Sequence, residues 1–270
     1  MRVFLSTALM FAVTVGSLAA HDLFLKPFNF FVTPGAEARV RVLNGTFTKS
    51  ENSVARNRLR DLSVVSPSGG RQRQDTTSWS DSGDTSVFAF RTGATGTYLV
   101  GASTLPRALR LDAKEFNQYL ADDGVVDVLE ARRKAGELAK PSHERYSKHV
   151  KTLMQVGELR TRDFDTVLGY PAELVPLENP YDVKSRGSLR VRALVDGAAV
   201  ANQLIVAGGR TVTGARLPVQ NVRSDADGIA RVRITSPGYW YVKFIHMVPY
   251  TGSEKINYES KWATLTFDVR

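Results

Sequence analysis

Apolar and polar residues alternate with a period of two along several short stretches of this chain. Ala38, Val40 and Val42 are separated by Arg39 and Arg41, the pattern of a strand with one face buried. Residues 62–65, 86–90 and 97–100 are further strand candidates, and turn-forming residues at 67–70, 82–84 and 93–96 separate them. The second half repeats the signal at Leu189, Val191, Ala193 and Val195, and again at Ala230, Val232 and Ile234. A last alternation runs through Ala263, Leu265, Phe267 and Val269. Asp196-Gly197 and residues 224–228 supply turn chemistry between these runs. Short strands so spaced predict antiparallel sandwiches.

The period changes between about 112 and 158. Phe116 and Leu120 are four apart, as are Val125 and Leu129. Tyr146, Val150 and Leu153 continue a helical spacing beyond Pro141, with Ser142 as a candidate cap. Residues 163–185, with Gly169-Tyr170-Pro171 and Asn179-Pro180-Tyr181, read as a connection. The expected fold class is mainly β: two immunoglobulin-like or transthyretin-like antiparallel β-sandwich domains with a helical insert between them. The first domain takes residues 21–162 and includes the insert at about 112–158; the linker is 163–185 and the second sandwich 186–270.

The first twenty residues differ in kind. Met1-Arg2 precedes an apolar run at 3–16, and Ser17-Leu18-Ala19-Ala20 leads into polar chain, the layout of a cleavable secretory signal. No other stretch approaches the ~18 apolar residues of a membrane helix. The expectation is a periplasmic protein with no membrane span in its mature chain. Cleavage after Ala19 or Ala20 places a free α-amine within one residue of His21.

Composition narrows the chemistry. Of 270 residues, 43% are hydrophobic, enough for a core, and none is cysteine. This excludes disulfides, thiolate metal sites and a cysteine nucleophile. The formal charge is +9, but the basic residues are scattered in short groups such as Arg56, Arg58 and Arg60. They are not interleaved with stacking aromatics, so a nucleic-acid partner is not expected.

Only four histidines are present: His21, His143, His149 and His246. His21 beside a new α-amine could chelate a borderline metal. His246 falls on the apolar face of a strand with Trp240, Val242, Phe244 and Val248. Read as helical, His143 and His149 point to different faces. His143-Glu144 begins like a metalloprotease helix, but Ser147 occupies the second histidine's place. Asp225-Ala226-Asp227-Gly228 reads as a hairpin turn rather than a calcium loop. Tyr250 and Tyr258, between the last two strands, are candidates for walling a pocket or meeting a partner.

Several strings together resemble one family. They are His21-Asp22-Leu23-Phe24-Leu25-Lys26-Pro27 behind a signal, Asn44-Gly45-Thr46-Phe47, and the run from Gly169-Tyr170-Pro171 to Asn179-Pro180-Tyr181. Gly238-Tyr239-Trp240, Ile245-His246-Met247 and the run from Tyr258-Glu259-Ser260 to Phe267 complete the set. The chain is similar over its mature length to the exported bacterial proteins of domain-of-unknown-function family 4198. That resemblance implies a periplasmic role tied to nickel or cobalt uptake, with His21 and His246 as the positions that carry over. The leading expectation is a non-catalytic protein that captures or delivers nickel, cobalt or copper. His21 and His246 would supply nitrogen ligands, Glu259 or Glu173 would complete the shell, and a metal-uptake transporter or envelope protein would be the partner. The alternative is a metal-free envelope binding module recognising a protein or glycan through its sandwich loops and Tyr250 and Tyr258. A third reading, a copper oxygenase with an N-terminal histidine brace, needs cleavage after Ala20 and a second histidine nearby.

Overall fold

The structure, a computed structural model, describes residues 21–67, 69–252 and 255–270; the expected signal at 1–20 lies outside them. The first half supplies β1 (Asp22–Pro27), β2 (Phe31–Val32), β3 (Glu37–Gly45), β4 (Leu59–Ser66) and β5 (Gly70–Arg73). It continues with β6 (Trp79–Ser82), β7 (Thr85–Arg91), β8 (Gly96–Thr104) and β9 (Arg107–Leu111). Helices α1 (Ala113–Asp122) and α2 (Val126–Lys134) follow, and then β10 (Ser142–Val156) and β11 (Ala172–Pro176). The rest is β12 (Ser188–Val195), β13 (Ala198–Ala199), β14 (Leu204–Thr211), β15 (Gln220–Arg223), β16 (Ile229–Arg233), β17 (Gly238–Pro249) and β18 (Tyr258–Val269).

The alternation at 38–42 becomes β3, with Ala38, Val40 and Val42 buried and Glu37 and Arg39 exposed. It belongs to an antiparallel sheet in the order β1–β3–β7–β6. A second small sheet has β12 paired with β11, β13 and β16. The third is long, β15–β14–β17–β18–β10–β8–β4–β5, with β2 and β9 also pairing β10. Each small sheet covers one part of the long one. Leu25, Val40, Phe88 and Val100 share the first core, while Leu189, Val191, Trp240 and Phe267 share the second. The chain is thus mainly β, as expected, but its two sandwiches share a continuous sheet.

Three corrections follow. The helical insert ends at Lys134, and residues 142–156 form a 15-residue strand rather than a helix capped by Ser142. That strand runs parallel to β18, in register from Glu144 beside Tyr258 to Thr152 beside Thr266, so the long sheet is mixed rather than antiparallel. Residues 163–185, read as a connection, contribute β11. The reason for the first correction is burial on both faces. Glu144, Lys148, His149 and Lys151 are all buried in β10, so no apolar–polar alternation marks it. The helical spacing does hold earlier: Phe116 and Leu120 are buried on α1, whose start is fixed by a capping box between Asp112 and Glu115.

Candidate ligand-binding cleft

The first strand organises the centre of the molecule. β1 pairs with β3 along one edge and lies over β10 and β18. Thr264 Oγ1 donates to Leu23 O at 2.9 Å, Thr266 Oγ1 donates to Leu25 O, and Lys148 Nζ donates to His21 O. Successive side chains of a strand point to opposite sides. Leu23 and Leu25 enter the first core, while Phe24 joins a separate cluster with Leu43 and Phe47.

On the side of Asp22 and Phe24 opens a cavity of about 390 Å³, with Phe47, Asp123, Arg210, Arg216, Tyr241 and Lys243 also on its wall. Its apolar surface includes a triad of rings together with Val206, Leu217 and Val219. Phe24 lies 5.4 Å from both Phe47 and Tyr241, centroid to centroid, and Phe47 lies 5.1 Å from Tyr241; tilted pairs at such distances are favourable aromatic contacts. Tyr241 fits because its cross-strand neighbour is Gly208: a Cβ there would come within 2.6 Å of the phenol oxygen.

Beside the rings lies Lys243, whose ammonium donates to Asp22 Oδ2 at 2.6 Å and Asp123 Oδ1 at 2.9 Å. Burial works against its charge, but the two carboxylates more than offset that and raise its pKa. Asp123, at the C-terminal cap of α1, moves upward from the usual carboxylate range, because burial outweighs the attraction of Lys243 and Asp22 adds a like charge. A second oxygen of the pair, Asp22 Oδ1, is buried without a hydrogen-bond partner. The cleft therefore joins an aromatic wall to a buried cation that is already neutralised, and Asp22 keeps acceptor capacity for a donor.

The residues singled out from the sequence lie in separate places. His21 Nε2 is 3.2 Å from Glu51 Oε2. His246 is half-buried, with Nδ1 3.0 Å from Gln203 Oε1, and burial and then Lys261 depress its pKa. Glu173 is buried, ion-paired to Lys151, and accepts from the backbone N–H groups of Leu168 at 2.9 Å and Tyr170 at 2.7 Å. Glu259 pairs with Arg145. His21 and His246 are not brought together. Lys243 and His246 are an odd number of residues apart and point to opposite faces of β17, and Asp22 meets the Lys243 face. Among the described residues, no three His, Asp or Glu side chains come together in a group that could hold a metal ion. His149 is buried between Ser103 Oγ at 2.8 Å and Ser147 Oγ at 3.0 Å, and His143 Nδ1 lies 2.7 Å from Lys255 O. Tyr258 stacks on Phe116 at 5.6 Å, and Tyr250 has the Arg145 guanidinium 5.7 Å from its ring.

Sequence reasoning missed Asp22, Asp123, Tyr241 and Lys243 as a group. One signal was available: Lys243 is the lone lysine of β17, set between Val242 and Phe244. Its two partners stand 221 and 120 residues away.

The sequence profile described as "Domain of unknown function (DUF4198)" matches residues 18–248; the chain belongs to that family. No curated protein matches it. Among solved structures it is similar to trypsin-activated α2-macroglobulin from Escherichia coli, with 12% identity, 95% of this chain and 16% of that one covered, and a TM-score of 0.23. A tetra-tandem repeat from the extending region of a large adhesion protein gives 10% identity, 91% and 49% coverage, and a TM-score of 0.22. A two-domain fibronectin type III segment of chicken tenascin gives 15%, 90% and 97%, and 0.20. The chain thus spans under half of the first two structures. TM-scores this low support no argument about activity. No helix among the described residues is long and apolar enough to cross a membrane.

Proposed function

We propose that this chain is an exported, non-catalytic binding protein of the bacterial envelope, and that its ligand, a glycan or peptide, enters the cleft beside β1. One observation carries this reading: an aromatic wall of three rings adjoins a buried Lys243–Asp22–Asp123 triad in a cavity of about 390 Å³. Ligand pockets have about this size and combine apolar walls with a few fixed polar groups. The triad's single cation is held between two carboxylates, and Asp22 Oδ1 remains an acceptor for a donor on the ligand. The test is thermal-shift screening of the mature protein against short peptides and oligosaccharides. A stabilising hit that Tyr241→Ala weakens at least tenfold is the expected result. A hit indifferent to both Tyr241→Ala and Phe47→Ala would remove the cleft from consideration.

A second reading, capture of nickel, cobalt or copper for an uptake transporter, rests on the contact between His21 and Glu51. A metal there would take imidazole and carboxylate ligands on a surface shared by β1 and the 46–51 loop, with Glu51 in place of His246, Glu259 and Glu173. Calorimetric titration with Ni²⁺ and Cu²⁺ tests it: His21→Ala should abolish binding, and unchanged affinity in that variant rejects it.

A further inference from the structure

On the opposite side of β1, where Leu23 rather than Asp22 forms the wall, lies a second cavity of about 160 Å³. Three cations reach it from three elements: Arg58 from the turn before β4, Arg107 from the start of β9 and Lys148 from the middle of β10. The remaining polar wall is neutral, with Asn44, Ser53 and Tyr146 among it, and no carboxylate lines the cavity. Other arginines here meet acids: Arg71 meets Asp61, Arg190 meets Glu178 and Arg223 meets Asp127. Among the described residues Arg58 and Arg107 make neither an ion pair nor a side-chain hydrogen bond.

Lys148 is 7% exposed. Its ammonium spends one proton on His21 O and lies 5.0 Å from the Trp262 ring and 5.4 Å from the Tyr146 ring. The carboxylates that act on it from neighbouring elements are otherwise engaged. Asp22 and Asp123 hold Lys243, and Glu144 accepts from Tyr119 and Ser260. Burial lowers the Arg58 pKa; Tyr146 works against that, and Arg107 adds to it through like charge. Lys148 is buried and Arg58 half-buried, while Arg107 is exposed; cations drawn partly out of water without a counter-ion carry a free-energy cost that an anion relieves. Two guanidinium forks match the oxygens of a tetrahedral oxyanion, and the remaining ammonium protons add a third point of contact.

We propose that the pocket formed by Arg58, Arg107 and Lys148 binds a doubly charged tetrahedral oxyanion, either free or as the phosphoryl group of a larger molecule. The site is separate from the cleft and does not depend on the reading given for it.

The test is calorimetric titration of the full mature chain at pH 7 with inorganic phosphate, sulfate and glycerol phosphate, with sodium chloride at matched ionic strength as control. Saturable binding of phosphate and sulfate is expected, with at least a tenfold loss of affinity in Arg107→Gln and no measurable binding in R58Q/R107Q. Tighter binding of glycerol phosphate than of free phosphate supports the proposal and assigns the phosphoryl group to a larger ligand; equal binding supports it for the free ion. A structural role for the arginines is separated by thermal unfolding in low salt. R58Q/R107Q should melt no lower than the parent without phosphate, because repulsion is relieved, and should gain nothing when phosphate is added. The parent should gain about 3 °C at ten times its dissociation constant. No binding beyond the chloride control, or full binding retained by R58Q/R107Q, overturns the proposal.

Discussion

Lys243 and Lys148 are both buried in the long sheet, one on each side of the first strand's opening residues, yet burial affects them differently. Lys243 touches two carboxylates and its pKa is raised; Lys148 touches a carbonyl oxygen and two rings, and its pKa falls to about 8. Burial is the largest influence on each. The difference lies in contact. Carboxylates within hydrogen-bond reach outweigh desolvation at Lys243, whereas Asp22, Asp123 and Glu144 act on Lys148 from further away and offset its burial only in part. One lysine is thus a structural counter-ion in a balanced cleft. The other is a cation in reserve beside two unpaired arginines.

The largest expected effect breaks this contrast at Lys243. Lys243→Met leaves Asp22 and Asp123 buried side by side without their cation, and urea unfolding at pH 7 should show a loss of about 3 kcal/mol. Lys148→Met removes a cation that has no ion pair and keeps an apolar stem against Trp262, so its stability should stay within about 1 kcal/mol of the parent. Equal losses in the two variants would dissolve the distinction.

Alkaline pH sharpens it with opposite signs. The folded pKa of Lys148 lies below that of the unfolded chain, so between about 8 and 10.5 the unfolded state binds more protons and this residue makes stability rise with pH. The folded pKa of Lys243 lies above its unfolded value of 10.5, so its contribution is fully present below 10.5 and is lost as pH climbs through the folded value. Subtracting the Lys148→Met curve from the parent curve should leave a positive slope approaching 1.4 kcal/mol per pH unit. A flat difference would contradict the account.

A smaller effect belongs to His149, buried between two serines and depressed to about 3 by burial and then by Arg60. Below pH 6.5 the unfolded chain takes up a proton that the folded one refuses, so stability falls with acid. His149→Gln should unfold less steeply between pH 6.5 and 4, by up to about 1.4 kcal/mol per pH unit. An unchanged acid slope in that variant would place the proton uptake elsewhere.

The strands of both sandwiches were legible where one face meets solvent, because alternation then records the fold directly: β3, β12 and β16 all carry it. β18 is buried on both faces but still alternates, because Thr264, Thr266 and Asp268 fall between its apolar residues. The helices were legible through Phe116 and Leu120. β10 was not, because its buried residues include Glu144, Lys148, His149 and Lys151, whose partners come from distant elements, and because Tyr146, Val150 and Leu153 happen to fall at helical spacing. That strand joins the sandwiches, so missing it also hid their shared sheet. The candidate site was legible in its position but not in its membership. The opening His21-Asp22 does lie at the centre, yet the residue with two charged partners in the cleft is Lys243, and it meets Asp22 only once β1 has crossed the sheet. Histidine scarcity drew attention to imidazoles, two of which, His149 and His246, are bound up in hydrogen bonds to neighbouring side chains.

The most direct test is a lysine ¹³Cε NMR titration of the mature protein, with and without phosphate, assigned through the two Lys→Met variants. The account predicts that Lys148 titrates near 8 and Lys243 above the ordinary 10.5, and that phosphate moves Lys148 upward while leaving Lys243 in place. Both lysines titrating together near 10.5, with phosphate shifting neither, would contradict it.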